Sequence, residues 1–433
     1  MPLPTTPNTI RNMALMPGQR LLSSRLQAGR GSMIDEALAI AIFLAIPVEF
    51  TELAFLRLPL LALVLGLAVL AWRDLVPVLR RGWVFFLIPA FCLISVLWSA
   101  FTFETIRFSI FTALALVTAA LMAVRLDHRQ IVVALMLAKL LIAIASLLFM
   151  EQTYVGGLNG GWAILGLYPH KNVLGGHMVA MMIAAVVILL DHRYEKIWRL
   201  AALPTLGLGA FFVFNAQSAT AIVLMALGCA GAATIGGVWR PAAAVRGLRT
   251  MFVAGGIFVA AAGVLALSTF SQVDPWTYAL EKLGKDSSLT GRTAIWDRAE
   301  VIIDEHPVLG VGADAFWRPG VGQARQIVGM FGDSPDNHFN FHNVYYEVTV
   351  HTGYVGLTLY LTVMAIALYT LVIHWWRNQR AVDGFFIAML AVILARSQTE
   401  SEMFLFLSLS MVTLWTGVFL AIRDQVERGG KAV

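Results

Sequence analysis

Charged side chains are scarce in this chain: they make up 13% of its 433 residues, whereas apolar residues make up 59%. The mean hydropathy is +0.76. This balance excludes a soluble domain of the same length, because such a domain carries far more charge on its surface. Cysteine is scarcer still. Cys92 and Cys229 both lie in apolar runs, which excludes a disulfide framework and a cysteine-based metal site.

The apolar residues form long runs without strand-like alternation, and they predict an all-α, polytopic membrane protein. A span needs roughly 20 helical residues to cross the hydrocarbon core, and its backbone groups must bond to one another. About twelve spans are expected on this basis, with no internal repeat. They lie at 33–50, 56–72, 83–100, 107–124, 130–149, 173–190, 198–215, 218–238, 250–270, 350–373, 382–397 and 403–421.

The distribution of Lys and Arg predicts how these spans are oriented, because short cytoplasmic loops retain basic residues. With the N-terminus inside, the cytoplasmic segments hold 20 of the 31 basic residues, and the short outer loops with their adjoining helix ends hold four. Both termini are therefore expected in the cytoplasm. The net charge of +5 follows from this bias, and no nucleic-acid partner is expected. The regions are a tail at 1–32, helices at 33–270, a large outer loop at 271–349, helices at 350–421 and a tail at 422–433.

Four polar clusters that are far apart in sequence fall on the same outer face under this topology. A shared outward-facing site would bring them together, and the large loop is too long and too polar for a simple connection. The clusters are residues 168–172 (Tyr-Pro-His-Lys-Asn), residues 215–220 (Asn-Ala-Gln-Ser-Ala-Thr), the large loop itself and residues 398–402 (Gln-Thr-Glu-Ser-Glu).

Within the large loop, apolar residues at helical spacing predict an amphipathic helix that lies along the membrane surface and ends at Pro307. Arg292 falls in its first turn, where free backbone amides add to the guanidinium to make a phosphate or pyrophosphate site. The alternative is an arginine that pairs with a neighbouring carboxylate or a lipid headgroup. The apolar residues of this pattern are Ile295, Trp296, Ala299, Ile302 and Ile303.

His342 lies at the end of the loop, where the chain returns to the membrane. An imidazole there can take a proton from a sugar hydroxyl near neutral pH, as a general base must. The alternative is a histidine that caps the helix or bonds a carbonyl. His338 lies four residues earlier, the spacing of a metal pair, but no acidic or thiol partner completes a set, so no metal is expected. Asp336, Glu400 and Glu402 could orient sugars or the histidine, or be ordinary solvated carboxylates.

Several motifs resemble those of one family, the O-antigen ligase and Wzy-type polymerase superfamily. His342-Asn343, followed after nine residues by Gly353-Tyr354-Val355-Gly356, is similar to its His-Asn-x9-Gly-x-x-Gly signature. Three further stretches resemble the exopolysaccharide-polymerase branch more closely. These are residues 289–296 (Leu-Thr-Gly-Arg-Thr-Ala-Ile-Trp), residues 306–312 (His-Pro-Val-Leu-Gly-Val-Gly) with Phe316-Trp317, and residues 170–175 (His-Lys-Asn-Val-Leu-Gly).

The resemblance implies a GT-C-like helical fold in the bacterial cytoplasmic (inner) membrane, with the large loop in the periplasm. It implies an inverting, metal-independent glycosyltransferase that needs no cofactor. Its donor would be an oligosaccharide linked to undecaprenyl pyrophosphate, brought to the outer leaflet by a flippase, and a chain-length regulator would be a further partner. The expected product is an exopolysaccharide polymer. A ligase that transfers to lipid A core, transfer to a protein, and a non-enzymatic transporter remain the alternatives.

The resemblance also assigns residues. His342 corresponds to the family's essential histidine and Arg292 to a basic residue that holds the pyrophosphate. Ala219 departs from the pattern, because many relatives have a basic residue at this position; Lys171 on the neighbouring loop is the natural substitute, or an ordinary interfacial lysine. Lys139, which lies inside a span, is either functional or a packing feature. Other substrate-binding candidates are His170, Asn343, His338 and Glu400.

Overall fold

The structure is a computed structural model that describes residues 31–45, 57–155, 161–239, 241–251, 254–255, 292–330, 339–404 and 408–429. Several sequence predictions lie outside these residues. They include the N-terminal tail apart from its last two residues, most of the span at 250–270 and the first part of the large loop.

The described residues form fourteen α-helices and one two-stranded hairpin, β1 (Gln152–Val155) with β2 (Gly161–Ile164), which pair antiparallel. The helices are α1 (Met33–Ala45), α2 (Arg57–Leu70), α3 (Trp72–Arg81), α4 (Leu87–Ile94), α5 (Thr102–Arg125), α6 (His128–Leu148), α7 (Lys171–Leu190), α8 (Lys196–Asn215), α9 (Ala219–Ala233), α10 (Arg292–Glu305), α11 (Gly322–Met330), α12 (Val344–Asn378), α13 (Ala381–Arg396) and α14 (Leu409–Gly429).

Six helices in the described part of the chain are long and apolar enough to cross a membrane. They are α5, α6, α7, α8, α12, and α9 together with the π-turn that extends it to Val238. Helices α2 and α3 make a seventh if they form one span, which is bent by 93°. The all-α membrane class is therefore confirmed, whereas the count of about twelve spans stays a prediction from sequence.

Helix α7 lies at the centre of the bundle and is buried over most of its length by α6, α8, α9 and α13. Glycines near its start allow this close packing. A Cβ atom at Gly175 would lie 2.5 Å from the Cβ of Ala221 on α9. A Cβ atom at Gly176 would overlap the guanidinium of Arg396 on α13. Small residues let membrane helices approach one another, and here they bring the starts of α7 and α9 to the end of α13.

Helix α12 is kinked at Gly353, whose φ of 65° is in the left-handed region that favours glycine. The kink interrupts the helix's own hydrogen-bond ladder, and the large loop supplies partners there. The amide of Tyr354 donates to the carbonyl of Pro307 at 2.8 Å, and the amide of Gly312 donates to the carbonyl of His351 at 3.0 Å. The motif at 306–312 and the Gly-x-x-Gly motif at 353–356 therefore form one structural unit.

The described part of the large loop has a small hydrophobic core of its own. The apolar face of α10 packs into it, so that this face is covered by protein. The helix itself is present with its predicted apolar spacing, whereas its orientation along the membrane surface stays a prediction. Helix α12 begins at Val344, six residues before the span predicted at 350. The core residues are Ile295, Ala299, Ile302, Ile303, Phe316, Ala324, Ile327, Phe341 and Val350.

Candidate active site

Glu400 is the side chain on which the polar clusters predicted for the outer face meet. It lies in the turn between α13 and α14, and its carboxylate is almost buried. Oε1 accepts from Arg292 Nη2 at 3.0 Å and from Asn172 Nδ2 at 2.9 Å. Oε2 lies 3.3 Å from Nδ1 of His342. The carboxylate therefore joins α7, α10 and the segment that precedes α12.

His342 is held in an unusual backbone conformation beside Glu400. Its φ is 49°, in the left-handed region, where residues other than glycine are uncommon. Its amide donates to Oδ1 of Asn340 at 2.8 Å, which helps to hold this conformation. The side chain is 25% exposed, so that the ring is both anchored and accessible. Strained backbone of this kind clusters at functional sites because the surrounding structure must hold it in place.

Asn343, the next residue, is the N-cap of α12. Its side-chain oxygen accepts from the amides of Tyr345 and Tyr346, as N-cap residues do. Its own amide donates to Oγ of Ser401 at 3.2 Å, and its Nδ2 donates to the carbonyl of Gln398 at 3.4 Å. Asn343 therefore fixes the start of α12 against the turn that carries Glu400, and its observed contacts are structural.

Glu347 is a buried carboxylate that sequence reasoning missed, and it fixes both sides of the His342–Glu400 pair. Oε2 accepts from the amide of Phe341 at 2.8 Å and from Oγ of Ser401 at 3.2 Å. Phe341 precedes His342, and Ser401 follows Glu400. Oε1 accepts from Nε1 of Trp317 at 3.0 Å and lies 3.1 Å from Nε2 of His351. The sequence feature that could have identified it is a single glutamate near the start of a long apolar helix.

Arg292 is positioned by α10, of which it is the first residue. It forms an ion pair with Glu400 and its side chain is 14% exposed. Trp296, one turn later, donates from Nε1 to the carbonyl of Phe341 at 2.9 Å. That bond fixes the start of α10 to the residue before His342. The alternative considered from sequence, an arginine paired with a carboxylate, is observed. A guanidinium carries five N–H donors, so pairing through Nη2 does not exhaust it.

The loop before α7 and the turn before α9 form another wall of the site. Nζ of Lys171 donates to the carbonyl of Gln217 at 3.2 Å, and Oγ of Ser218 donates to Oδ1 of Asn172 at 2.9 Å. His170 is the N-cap of α7, and its Nδ1 accepts from the amide of Asn172. Lys171 and His170 therefore lie next to Asn172, which bonds Glu400 directly.

Arg396 is a second residue that sequence reasoning did not select. It is buried at the end of α13, where it pairs with Glu402 and donates from Nη2 to the carbonyl of Asn172 at 3.3 Å. It was counted only as one of the few basic residues on the outer side. Glu402 is thus occupied by Arg396 and by Ser410.

His338 and Asp336 lie outside the described residues.

Lys139 lies inside the bundle, away from these clusters. It is fully buried on α6, and its Nζ donates to the carbonyl of Phe43 at 2.6 Å. The bond joins α6 to α1. This contact favours the packing alternative that the sequence left open.

The charges around Glu400 keep it ionised. Burial raises the pKa of this carboxyl, but the hydrogen bond and charge of His342, then Arg292 and Arg396, outweigh burial and lower the pKa from 4.5 to about 2. Burial also lowers the pKa of His170 to about 4, with only partial opposition from Glu400. The site therefore contains a stable anion between two arginines and an imidazole.

This geometry suits proton transfer by His342. An ionised Glu400 accepts a hydrogen bond from Nδ1–H, which fixes the tautomer in which Nε2 carries a lone pair. A carboxylate that orients an imidazole in this way also stabilises the imidazolium that forms when Nε2 takes a proton. Within the described residues, no group of three or more side chains with metal-ligand spacing includes His342 or Glu400.

Two comparisons with known proteins bear on this chain. A sequence model of the family described as O-antigen ligase matches residues 204–361, a range that includes Arg292 and His342 and ends before Glu400. The exopolysaccharide production protein ExoQ of Rhizobium meliloti (strain 1021) is 31% identical over 294 residues. That match covers 66% of this chain and 64% of the relative, which is less than two thirds of the relative's length.

The family match at 204–361 includes the motifs at 289–296, 306–312 and 342–356, and with them the described start of α10 and the kinked start of α12. The apolar helices agree with a protein that crosses the membrane several times. The resemblance is therefore confirmed: the chain is a multi-pass membrane protein whose residues 204–361 match the family described as O-antigen ligase, and it is similar to ExoQ.

Proposed function

We propose that this protein is a membrane glycosyltransferase that polymerises lipid-linked repeat units into an exopolysaccharide. The observation that carries the proposal is the Glu400 carboxylate, which binds a candidate phosphate-binding arginine through one oxygen and a candidate general base through the other. A glycosyl transfer from a pyrophosphate needs a base for the acceptor hydroxyl and a cation for the pyrophosphate, and the two must lie within the length of one sugar. Arg292 and His342 supply them.

In the proposed reaction the donor is a glycan on undecaprenyl pyrophosphate, and the acceptor is a sugar hydroxyl of the next lipid-linked repeat. Nε2 of His342 takes the proton of that hydroxyl while its oxygen forms a bond to the anomeric carbon. The bond from that carbon to the pyrophosphate oxygen breaks, and the lipid pyrophosphate leaves with the electron pair. Attack from the face opposite the leaving group inverts the configuration.

The leaving group gains negative charge as the bond breaks, and fixed donors stabilise that charge most where water is partly excluded. Arg292 has donors in addition to the one that Glu400 accepts, and the amides of the first turn of α10 lie beside it. Lys171, beside Asn172, is the second proposed cation. No metal ion is needed in this step if these cations suffice.

The orientation proposed from sequence completes the assignment. Both termini lie in the cytoplasm, about twelve helices cross the inner membrane, and the site faces the periplasm. A flippase would then supply the donor, and a chain-length regulator would set when polymerisation stops. The described helices support this arrangement, because the starts of α7 and α12 meet the end of α13, as expected for helices that cross the membrane in alternating directions.

The identity of the acceptor decides between a polymerase and its alternatives. Similarity to a protein whose name is exopolysaccharide production protein supports the polymerase. Transfer to lipid A core would make the protein a ligase, and transfer to a protein side chain an oligosaccharyltransferase. A transporter is disfavoured because transporters place their polar groups near the middle of the bilayer, whereas the polar cluster here lies at helix ends.

Product analysis in cells that carry His342→Ala tests this proposal, with His192→Ala, an exposed histidine in the loop after α7, as the matched control. Membrane levels of both variants are measured alongside. Loss of long polymer, with single lipid-linked repeats accumulating in His342→Ala alone, supports the polymerase. Chains of normal length that stay unattached to an acceptor indicate a ligase, and unchanged product rejects the site.

A further inference from the structure

A second set of buried polar side chains lies at the other end of the bundle. His128 begins α6, Asp383 lies in the first turn of α13, and His374 and Asp424 lie near the ends of α12 and α14. Helix α12 starts beside Asn343 and ends near His374, so its 35 residues separate this set from the Glu400 cluster. The two histidines and Asp383 are almost fully buried.

The ligand atoms of this set face one another at short distances. Nε2 of His128 lies 3.7 Å from Oδ1 of Asp383 and 3.7 Å from Oδ2 of Asp424. Nε2 of His374 lies 3.6 Å from each of the same two oxygens. Ligands bound to zinc at about 2.1 Å in a tetrahedron are separated by about 3.4 Å. The four atoms therefore need to move little to share one ion.

Arg380 places a cation at this position, where its Nε and Nη2 donate to the two carboxylate oxygens of Asp383 at 2.9 Å each. Its Nη2 lies 2.9 Å from Nε2 of His128, 2.8 Å from Nε2 of His374, and 2.9 and 3.1 Å from the oxygens of Asp383 and Asp424. An Nη2 group carries two hydrogens, which cannot satisfy four acceptors. An imidazole that accepts from this group presents a lone pair from Nε2, the form that binds a metal.

We propose that His128, His374, Asp383 and Asp424 bind a divalent metal ion of the zinc type, and that the Arg380 guanidinium lies where this ion binds. Two imidazoles and two carboxylates match the ligand preference of Zn²⁺, and two carboxylates balance its charge. The ion joins the ends of α6, α12, α13 and α14. Its role is structural and is separate from the glycosyl transfer proposed above.

The surroundings permit the exchange of arginine for metal. Arg380 is 28% exposed and, like His128 and Asp424, lines a polar cavity of about 320 Å³, into which the guanidinium can turn. Arg423 donates from Nη2 to Oδ1 of Asp424 at 2.8 Å, which leaves Oδ2 directed at the set. Such outer contacts orient metal-binding carboxylates.

The test measures zinc bound to the full-length protein, purified in detergent with its affinity tag removed. The protein is treated with a chelator and dialysed against buffered Zn²⁺, and bound metal is measured by mass spectrometry. One equivalent is expected for the natural sequence. Binding should be tighter in Arg380→Ala, because the competing cation is gone, and at least tenfold weaker in His374→Gln and Asp383→Asn. His192→Gln, an exposed histidine at the same end of the bundle, is the control and should bind as the natural protein does.

Thermal unfolding of the same samples gives the second reading. Added Zn²⁺ should raise the midpoint of the natural protein and of Arg380→Ala, and should leave that of His374→Gln unchanged. The proposal is overturned if His374→Gln and Asp383→Asn bind zinc as well as the natural protein, which indicates adventitious binding. It is also overturned if Arg380→Ala lowers the midpoint and Zn²⁺ neither binds nor restores it, which makes Arg380 a structural counter-ion only. Gel filtration confirms that each variant is folded. If His374→Gln does not fold, zinc binding by the nearly isosteric Asp383→Asn decides the test.

Discussion

His342 and Glu400 are 58 positions apart in the chain, and their side chains meet with Nδ1 and Oε2 3.3 Å apart. The same carboxylate binds Arg292 through its other oxygen at 3.0 Å. The proposed base and the proposed phosphate-binding cation are thereby held at a fixed separation by one group. Their relative position depends on the turn between α13 and α14 and on the buried Glu347 beneath it, and each of these dependencies can be tested.

The guanidinium of Arg292 should be needed for transfer. Arg292→Ala is expected to lower the rate by about 10²- to 10³-fold, because it removes a donor to the leaving pyrophosphate. Arg292→Lys should recover part of the rate, since it keeps the charge but loses the planar fork. Initial rates with a purified lipid-linked repeat measure both. Arg298→Ala, an exposed arginine on the same helix, is the control, and an equal loss there would contradict the assignment.

Glu347 should act by positioning its neighbours. Glu347→Gln replaces a carboxylate that accepts from three donors by an amide, so that at least one of these donors faces an NH₂ group. A loss of about 1–3 kcal/mol in the free energy of unfolding is expected, together with a fall of about tenfold or more in kcat with little change in KM. Ser401→Ala removes one of these bonds and should cost about 1 kcal/mol. A normal kcat in folded Glu347→Gln would show that the pair does not depend on it.

The kink of α12 should tolerate no side chain at Gly353. A Cβ atom there would lie 2.2 Å from the carbonyl oxygen of Val308, and φ is positive. Gly353→Ala is expected to destabilise the protein by about 3 kcal/mol or more, because backbone strain and a backbone clash add. Thermal unfolding and membrane levels measure this. Gly329→Ala in α11, where no atom lies within 4 Å of the added carbon, should be neutral or stabilising.

The stabilising charge of Glu400 should be lost only in acid. Its pKa is lowered to about 2 from 4.5, so the folded state favours the ionised form. The contribution to stability is complete above about pH 4.5 and disappears as pH falls toward 2. The difference in unfolding midpoint between the natural protein and Glu400→Gln should therefore be constant from pH 5 to about 7 and shrink below about pH 4.5. A difference in midpoint that grows in acid would contradict the prediction that ionised Glu400 stabilises the folded state.

Sequence patterns predicted the parts of this structure that depend on local order. Apolar runs located most of the described helices, and the basic residues placed Lys171, His342 and Glu400 on one side. The contact of Arg292 with Glu400 was foreseen only as an unspecific carboxylate partner. The prediction that four polar clusters share one face followed from topology, because the end of one membrane helix and the start of the next lie on the same side of the membrane.

What was missed depends on contacts between distant segments. Glu347 was passed over because it lies within an apolar stretch, and its four partners come from three separate stretches of the chain. The hydrogen bonds between the large loop and the kink at Gly353 could not be predicted from helix periodicity. His128, His374 and Asp383 stood among basic residues that were interpreted only as orientation signals, and the fold alone brings them together.

A double-mutant cycle on His342 and Glu400 tests the central claim most directly. The measured quantity is the initial rate at which purified protein releases lipid pyrophosphate from a lipid-linked repeat. His342→Ala should lower this rate by about 10³-fold or more and Glu400→Gln by about 10²-fold, and the double variant should be no slower than His342→Ala, because residues that act as a unit are not additive. Losses that multiply in the double variant, or a normal rate for folded His342→Ala, would contradict the account.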